Sequence, residues 1–212
     1  MSTVSHDVIA RLRLLTPVRP LTLSEAYALS ELHANRLLEL QGVRKPGPVD
    51  LLWIRDLPRV RIIPRPRHEM PTLAGFTQWE DGQYKIYINR NSNLGRRRFT
   101  LAHEFGHVIT WNGRKVIYSR LGGGDSEKHD RQLEQVTDHF AACLLMPRRY
   151  VKQAWTMGIQ DIEALAELFK VSASAMRVRL TYLGLLDNPD RPLETLFRRE
   201  NPFISLPQAI AA

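Results

Sequence analysis

The sequence predicts an α+β fold, with a small antiparallel sheet or hairpin packed on helices and a C-terminal helical appendage. Two β-rich runs flank a Glu-Asp-Gly turn, which is typical of a hairpin. A helical pattern with two closely spaced histidines follows the hairpin directly. A second helical pattern carries an apolar stripe and ends at Pro147. Together these observations predict helices that pack on one side of a small sheet.

The N-terminal half contains one helical pattern and three strand patterns. Apolar residues recur near helical spacing from Leu23 to Leu40, with Ser24 as the expected N-cap and Gly42 as the stop. A short strand is predicted around Val60 to Ile63, among prolines that limit its regularity. A hairpin is predicted over Gly75 to Asn89. Its turn contains Gly82, which can take a positive φ.

The C-terminal half is predicted to be helical. One helix is expected from about 93 to 111, capped by Ser92 or Asn93, and another from about 131 to 146. Two or three further helices extend to Leu186. We therefore expect four segments, listed in chain order: an N-terminal extension (1–22), a core (23–150), a helical appendage resembling a helix-turn-helix (151–186) and a poorly ordered tail (187–212).

The composition favours a globular protein of the cytoplasm. Apolar residues make up 43% and charged residues 25% of the 212-residue chain, which argues against wholesale disorder. The longest apolar run, Phe140 to Met146, is too short to span a bilayer, and the N-terminal stretch lacks the long apolar region of a secretory signal. The single cysteine, Cys143, lies in that run, so we expect a small buried residue rather than a catalytic thiol.

The motif His103-Glu104-Phe105-Gly106-His107 is the main candidate for chemistry. On a helix, His103 and His107 leave the same face one turn apart, so both imidazoles can reach one zinc ion. Glu104 lies beside such a metal and can act as a general base toward a water molecule. A five-residue motif also arises by chance in amphipathic helices, so the motif alone leaves both interpretations open.

A third ligand would favour the metal site, because a catalytic zinc ion needs three protein ligands and one open position. The helix after the motif offers Glu134 and Asp138, which are again one turn apart. Glu134 could complete the ligand set, and Asp138 could then accept a hydrogen bond from the outer nitrogen of a ligating histidine. Asp138 itself is the alternative third ligand.

Both motifs together resemble the ImmA/IrrE family of zinc metallopeptidases. The resemblance rests on the run Arg98 to His107, then on Glu134, Asp138, Phe140-Ala141-Ala142 and the run Leu144 to Pro147. It implies His103, His107 and Glu134 as zinc ligands and Glu104 as the general base. The family often has Ala-Asn where this chain has Thr137-Asp138. Ligands of these types also accept Mn²⁺ or Fe²⁺.

The resemblance also implies a substrate class. Members of the family are associated with cleavage of helix-turn-helix repressors in mobile elements and stress responses. We therefore expect a cytoplasmic endopeptidase that acts on a protein substrate, has transcription regulation as its outcome and has no membrane partner. The strand Gln83 to Asn89 is expected to be the sheet edge that pairs with an extended substrate segment.

Two other functions stay open at this point. The segment from Asp161 to Leu186 has the pattern of a helix-turn-helix, with Arg177 and Arg179 on its second helix, and could belong to a DNA-binding regulator. Its three acidic and three basic residues make it electrically neutral, which does not favour phosphate binding. A non-catalytic sensor on the same fold is the other alternative, although it would not need Glu104.

Several residues near the motif have no assigned role. The chain carries a formal charge of +8, of which +5 comes from residues 41–68. Arg90 and the run Arg96 to Arg98 add a second basic cluster, of which Arg96 and Arg97 could face an acidic partner or water. We assign no oxyanion-stabilising residue, although four side chains between or within the motifs could donate hydrogen bonds: Tyr118, Arg120, His129 and His139. We expect His139 to be exposed.

Overall fold

The sheet has three strands in the order β1-β3-β2 in the structure, a computed structural model that describes residues 8–186. Strands β2 (Gly75–Glu80) and β3 (Gln83–Asn89) form the predicted antiparallel hairpin. Strand β1 (Val60–Arg65) pairs with β3 in parallel, so the sheet is mixed. With its helices, the described part of the chain has the predicted α+β fold.

Strand β3 lies in the centre of the sheet, and this contradicts the prediction that it is the free edge. Its two sides are occupied by β1 and β2. The edges are therefore β1, which tolerates Pro64 because an edge strand needs fewer ladder hydrogen bonds, and β2. An extended peptide could only add to the sheet beside one of these two strands.

The two helices of the N-terminal part pack against the rest of the fold. Helix α1 (Val8–Arg13) buries Val8 and Leu12, and the Arg13 guanidinium donates hydrogen bonds to the last carbonyls of the motif helix, at 2.8 Å from Val108 O. Helix α2 (Leu23–Leu40) has the predicted bounds. Ser24 is not its N-cap. Thr22 caps it in a reciprocal capping box, because Glu25 reaches back to the Thr22 backbone N–H at 2.8 Å.

Helices α3 and α5 carry the two motifs. Helix α3 (Leu94–Thr110) is capped by Asn93, as predicted, through a 2.9 Å hydrogen bond from the Arg96 N–H. A short helix, α4 (Arg114–Ile117), follows it. Helix α5 (Ser126–Leu145) begins earlier than predicted, because Asp125 caps it by accepting a hydrogen bond from the Lys128 N–H. It ends before Pro147, as predicted.

Three helices complete the described residues: α6 (Arg148–Thr156), α7 (Ile162–Phe169) and α8 (Ala173–Tyr182). Phe169, Met176 and Leu180 are fully buried in the same core cluster as Phe105 of α3. The predicted tail at 187–212 and the first seven residues of the predicted extension lie outside the described residues. No helix within 8–186 is both long enough and apolar enough to cross a membrane.

Candidate metal centre

The structure brings together the three side chains that the sequence predicts as metal ligands. His103 and His107 lie one turn apart on α3, and their Nε2 atoms are 3.1 Å from each other. Glu134 approaches from α5, with Oε2 3.2 Å from His103 Nε2 and Oε1 3.6 Å from His107 Nε2. Two imidazole nitrogens and one carboxylate therefore converge on one point.

This donor set fits a divalent metal ion. A cation between the two facing Nε2 atoms could accept a lone pair from each imidazole and bind the Glu134 carboxylate as well. Two histidines and one glutamate are a common ligand set for catalytic zinc, with the fourth position left open. The ligand atoms of all three side chains lie within 4.8 Å of one another.

Asp138 orients one of these histidines. Its Oδ1 atom is 2.8 Å from Nδ1 of His103, on the side of the ring opposite to Nε2. When Nδ1 donates this hydrogen bond, the Nε2 lone pair points toward His107 and Glu134. The arrangement favours Glu134 over Asp138 as the third ligand, because Asp138 contacts the nitrogen that faces away from the cluster.

The surroundings favour protonation of His103 and oppose protonation of His107. Burial opposes protonation of His103, but hydrogen bonds to Asp138 and Glu134 outweigh it and raise the pKa of His103 to about 9. Burial, together with the nearby charge on His103, lowers the pKa of His107 to about 4. The negative side chains of Glu134 and Asp138 thus favour a positive charge in this cluster, and a metal ion would supply that charge in place of the proton.

Glu104 lies beside the cluster and is only 5% exposed. Its Oε2 accepts a 2.8 Å hydrogen bond from Oγ1 of Thr77, a residue of β2. Burial is the main influence on this carboxyl and raises its pKa, although the Thr77 hydrogen bond and His103 act in the opposite direction. The raised pKa suits a group that takes up a proton and then releases it. No sequence pattern singled out Thr77.

Comparison with known proteins identifies the family of this chain. Residues 59–181 match the family model described as Peptidase_M78, the IrrE N-terminal-like domain, and this range holds both motif helices and the sheet. The chain belongs to this family. The match confirms the resemblance that the motifs indicate.

Two individual proteins are similar to this IrrE-like chain over different shares of its length. The radiation response metalloprotease IrrE of Deinococcus radiodurans is 32% identical over 111 residues, which are 49% of this chain and 34% of that protein. A solved structure described as a Mycobacterium tuberculosis transcriptional regulator matches with a TM-score of 0.60 at 19% identity, over 76% of this chain and 48% of that one. The chain thus spans about a third and about half of these proteins, and the second likeness shows the fold alone.

A close approach of α3 to α5 holds the candidate ligands of the IrrE-like domain opposite each other. A Cβ atom on Gly106 would lie 2.9 Å from Cδ1 of Phe140 and 3.0 Å from Cγ2 of Thr137, both on α5. The glycine therefore admits the side chains of the facing helix. Phe140 and Thr137 lie between Glu134 and the end of α5, so this contact fixes the spacing of the ligands.

We expect Gly106→Ala to weaken zinc binding about tenfold, within the range seen when the surroundings of metal ligands are disturbed. The added methyl group must move α5 or its side chains by a few tenths of an ångström. Competition with a chromophoric chelator measures the affinity. Gly113→Ala is the matched control, because its new Cβ would meet only Ile117 at 4.0 Å. Equal affinities for both variants would contradict this role of Gly106.

A cavity of about 900 Å³ opens beside the candidate metal centre. His103, Glu104, Glu134 and Asp138 form part of its wall, and residues of α8 form another part. His139 also lines this cavity and is 8% exposed, so the prediction of an exposed residue was wrong. Its ring packs against Tyr27 and Tyr182, which the sequence could not place beside it.

Other residues considered from the sequence lie in structural contacts. Arg98 is partly buried and donates hydrogen bonds to Lys170 O at 3.1 Å and Val49 O at 2.8 Å, which join α3 to its neighbours. Arg96 lies at the wall of the cavity. Cys143 is buried, as predicted, and its pKa is raised to about 11, chiefly by burial. Tyr118 is buried in a separate apolar cluster.

Proposed function

We propose that this chain is a zinc-dependent endopeptidase, with His103, His107 and Glu134 as the metal ligands and Glu104 as the general base. One observation carries the proposal: three ligand atoms converge beside a buried carboxylate that is held by a hydrogen bond. Membership of a metallopeptidase family supports it. When bound, zinc would polarise a peptide carbonyl and lower the pKa of the attacking water. Mn²⁺ and Fe²⁺ suit the same ligands.

The residues of the chain account for the movement of protons. The Thr77 hydroxyl donates to Oε2 of Glu104, which leaves Oε1 to accept a proton from the attacking water. The same carboxyl can then pass this proton to the nitrogen of the leaving amine. Asp138 acts as a positioning residue, because it keeps Nδ1 of His103 protonated and its Nε2 free.

We propose a helix-turn-helix repressor of the cytoplasm as the protein substrate, from the family's association with such proteins. The alternative of a DNA-binding regulator loses one of its two arginines, because Arg179 of α8 is 2% exposed and cannot reach phosphate, whereas Arg177 is exposed. The same helix lines the cavity beside the candidate metal centre. A non-catalytic sensor would have no use for the buried, hydrogen-bonded Glu104.

Incubation with a repressor encoded beside this chain, followed by mass spectrometry of the products, tests the proposal. We expect the zinc-loaded protein to cut the repressor, the chelated protein to be inactive and added zinc to restore cleavage. His107→Ala should stay inactive after zinc is added, because one of the three ligands is lost. Cleavage by the chelated protein would contradict the mechanism. Cleavage of other unfolded proteins but not of the repressor would contradict only the substrate.

A further inference from the structure

Helix α8 has an unusual distribution of buried and exposed side chains. Val178 is 71% exposed and Tyr182 is 45% exposed, whereas Arg179 between them is 2% exposed. An isolated apolar side chain at a surface needs no explanation, but a helix that exposes valine and tyrosine while it buries arginine reverses the usual pattern. The two exposed residues are one turn apart and therefore share one face.

This face borders the cavity that contains the candidate metal centre. Val178 and Tyr182 line it from α8, together with Ala175, and Ala142 of α5 contributes a further apolar surface. His103 and Glu134 line the same cavity. The exposed apolar face is thus continuous with the candidate site rather than placed on a remote surface.

Contacts of α8 with the ligand-bearing helices hold this wall in place. Nε of the buried Arg179 donates a 3.0 Å hydrogen bond to Met146 O, directly after the end of α5. At the other end of α8, the backbone of Val171 and Ser172 packs so closely on α3 that a Cβ atom on Gly95 would lie 3.1 Å from Ser172 N. The wall is therefore formed before any substrate binds, which limits the entropy lost on binding.

We propose that Val178 and Tyr182 form a specificity pocket for an apolar side chain, of leucine to phenylalanine size, on the substrate residue next to the cleaved bond. The inference rests on the proposed peptidase function and adds the side-chain class that the site accepts. Beside the candidate metal centre an acidic side chain would meet the carboxylates of Glu134 and Asp138, while Arg96 lines the same cavity from α3. The segment that resembles a helix-turn-helix thus contributes to peptide selection.

Four succinyl hydroxamates test the pocket independently of turnover, since the hydroxamate group binds zinc and the substituent probes the wall. The substituents are hydrogen, isobutyl, carboxymethyl and aminobutyl, and calorimetry on the zinc-loaded protein measures each Kd. We expect the isobutyl compound to bind about tenfold to 100-fold tighter than the unsubstituted one, as for burial of a leucine-sized group. Val178→Asp should remove most of this gain, measured as the ratio of the two Kd values in the same variant. Arg177→Asp, on the exposed surface of the same helix, is the matched control and should keep the gain.

The outcomes separate the two proposals. If even the unsubstituted hydroxamate fails to bind the zinc-loaded protein, the metal centre itself is wrong. If that compound binds but the isobutyl group adds nothing, or Val178→Asp keeps the gain, the pocket is wrong. A larger gain for the aminobutyl or carboxymethyl compound would overturn the apolar class. Self-association that Val178→Asp abolishes would instead assign the face to a second copy of the chain.

Discussion

Glu104→Gln should lower the rate of peptide cleavage by about 100-fold to 10,000-fold, the usual contribution of a general base, and leave bound zinc unchanged. Glutamine has nearly the same shape as glutamate, and its carbonyl oxygen can still accept the hydrogen bond from Thr77. Only the ability to take a proton is lost. Zinc content should persist, because the proposed ligand atoms belong to His103, His107 and Glu134.

The measurement needs both readouts on the same preparation. Metal analysis gives the zinc stoichiometry, and mass spectrometry of a cleaved protein gives the rate. Glu127→Gln is a suitable control, because Glu127 is exposed on α5 and contacts Arg131 rather than the cluster. Turnover by Glu104→Gln at the wild-type rate would refute its role as the base. A parallel loss of zinc would instead indicate that Glu104 supports the metal site.

The sequence predicts most of the candidate ligand set, because both motifs follow the helical repeat. His103 and His107 must share a face of α3 once that segment is helical, and Glu134 and Asp138 do so on α5. The apolar stripe of α5 then decides which side packs on α3. What spacing cannot distinguish is Glu134 from Asp138, because the choice depends on which imidazole nitrogen each carboxylate approaches.

Contacts made through the sheet could not be predicted in the same way. The hairpin is a local feature and has clear turn chemistry, but the parallel pairing of β1 with β3 joins segments that are distant in the chain. That pairing makes β3 central and leaves β2 as an edge. A substrate strand could therefore not pair with β3, contrary to the expectation from the sequence. The position of Thr77 beside Glu104 depends on the same arrangement, so nothing local to Thr77 indicates it.

Burial of polar residues was the other feature that the sequence concealed. His139 and Arg179 lie on helices where solvent exposure is the usual outcome for such side chains. His139 is covered by Tyr27 of α2 and Tyr182 of α8, and Arg179 is held by the carbonyl of Met146. In both cases the covering groups come from other helices, so the periodicity of one helix cannot predict the burial.

Buried histidines outside the candidate metal centre should make the stability of the fold strongly dependent on pH. His33 of α2 is 2% exposed, and its Nε2 lies 3.2 Å from Oγ1 of Thr16. Burial lowers its pKa to about 4 in the folded chain, against an ordinary value near 6.5. Burial, assisted by Arg179 and Arg148, likewise lowers the pKa of His139 to about 3.

The direction of this pH dependence follows from proton binding to the folded and the unfolded chain. Below about pH 6.5 the unfolded chain binds a proton at His33, and the folded chain does not do so until the pH falls to about 4. Stability is therefore complete above pH 6.5 and decreases as the pH falls through this window. At about 1.4 kcal/mol per pH unit, His33 alone lowers the free energy of unfolding by about 3 kcal/mol between these limits.

Urea denaturation of the metal-free protein between pH 7 and pH 4.5 measures this effect. His33→Gln should show a smaller loss of stability with falling pH than the wild type, since glutamine can hydrogen-bond to Thr16 but does not titrate. Comparing the wild type with His33→Gln cancels the titration of the candidate metal centre, because both proteins contain it. His68→Gln is the control, because the His68 side chain is 80% exposed and its replacement should leave the wild-type slope intact. If the free energy of unfolding changes equally with pH in the wild type and in His33→Gln, the folded chain must bind a proton at His33. Burial would then not keep this histidine neutral.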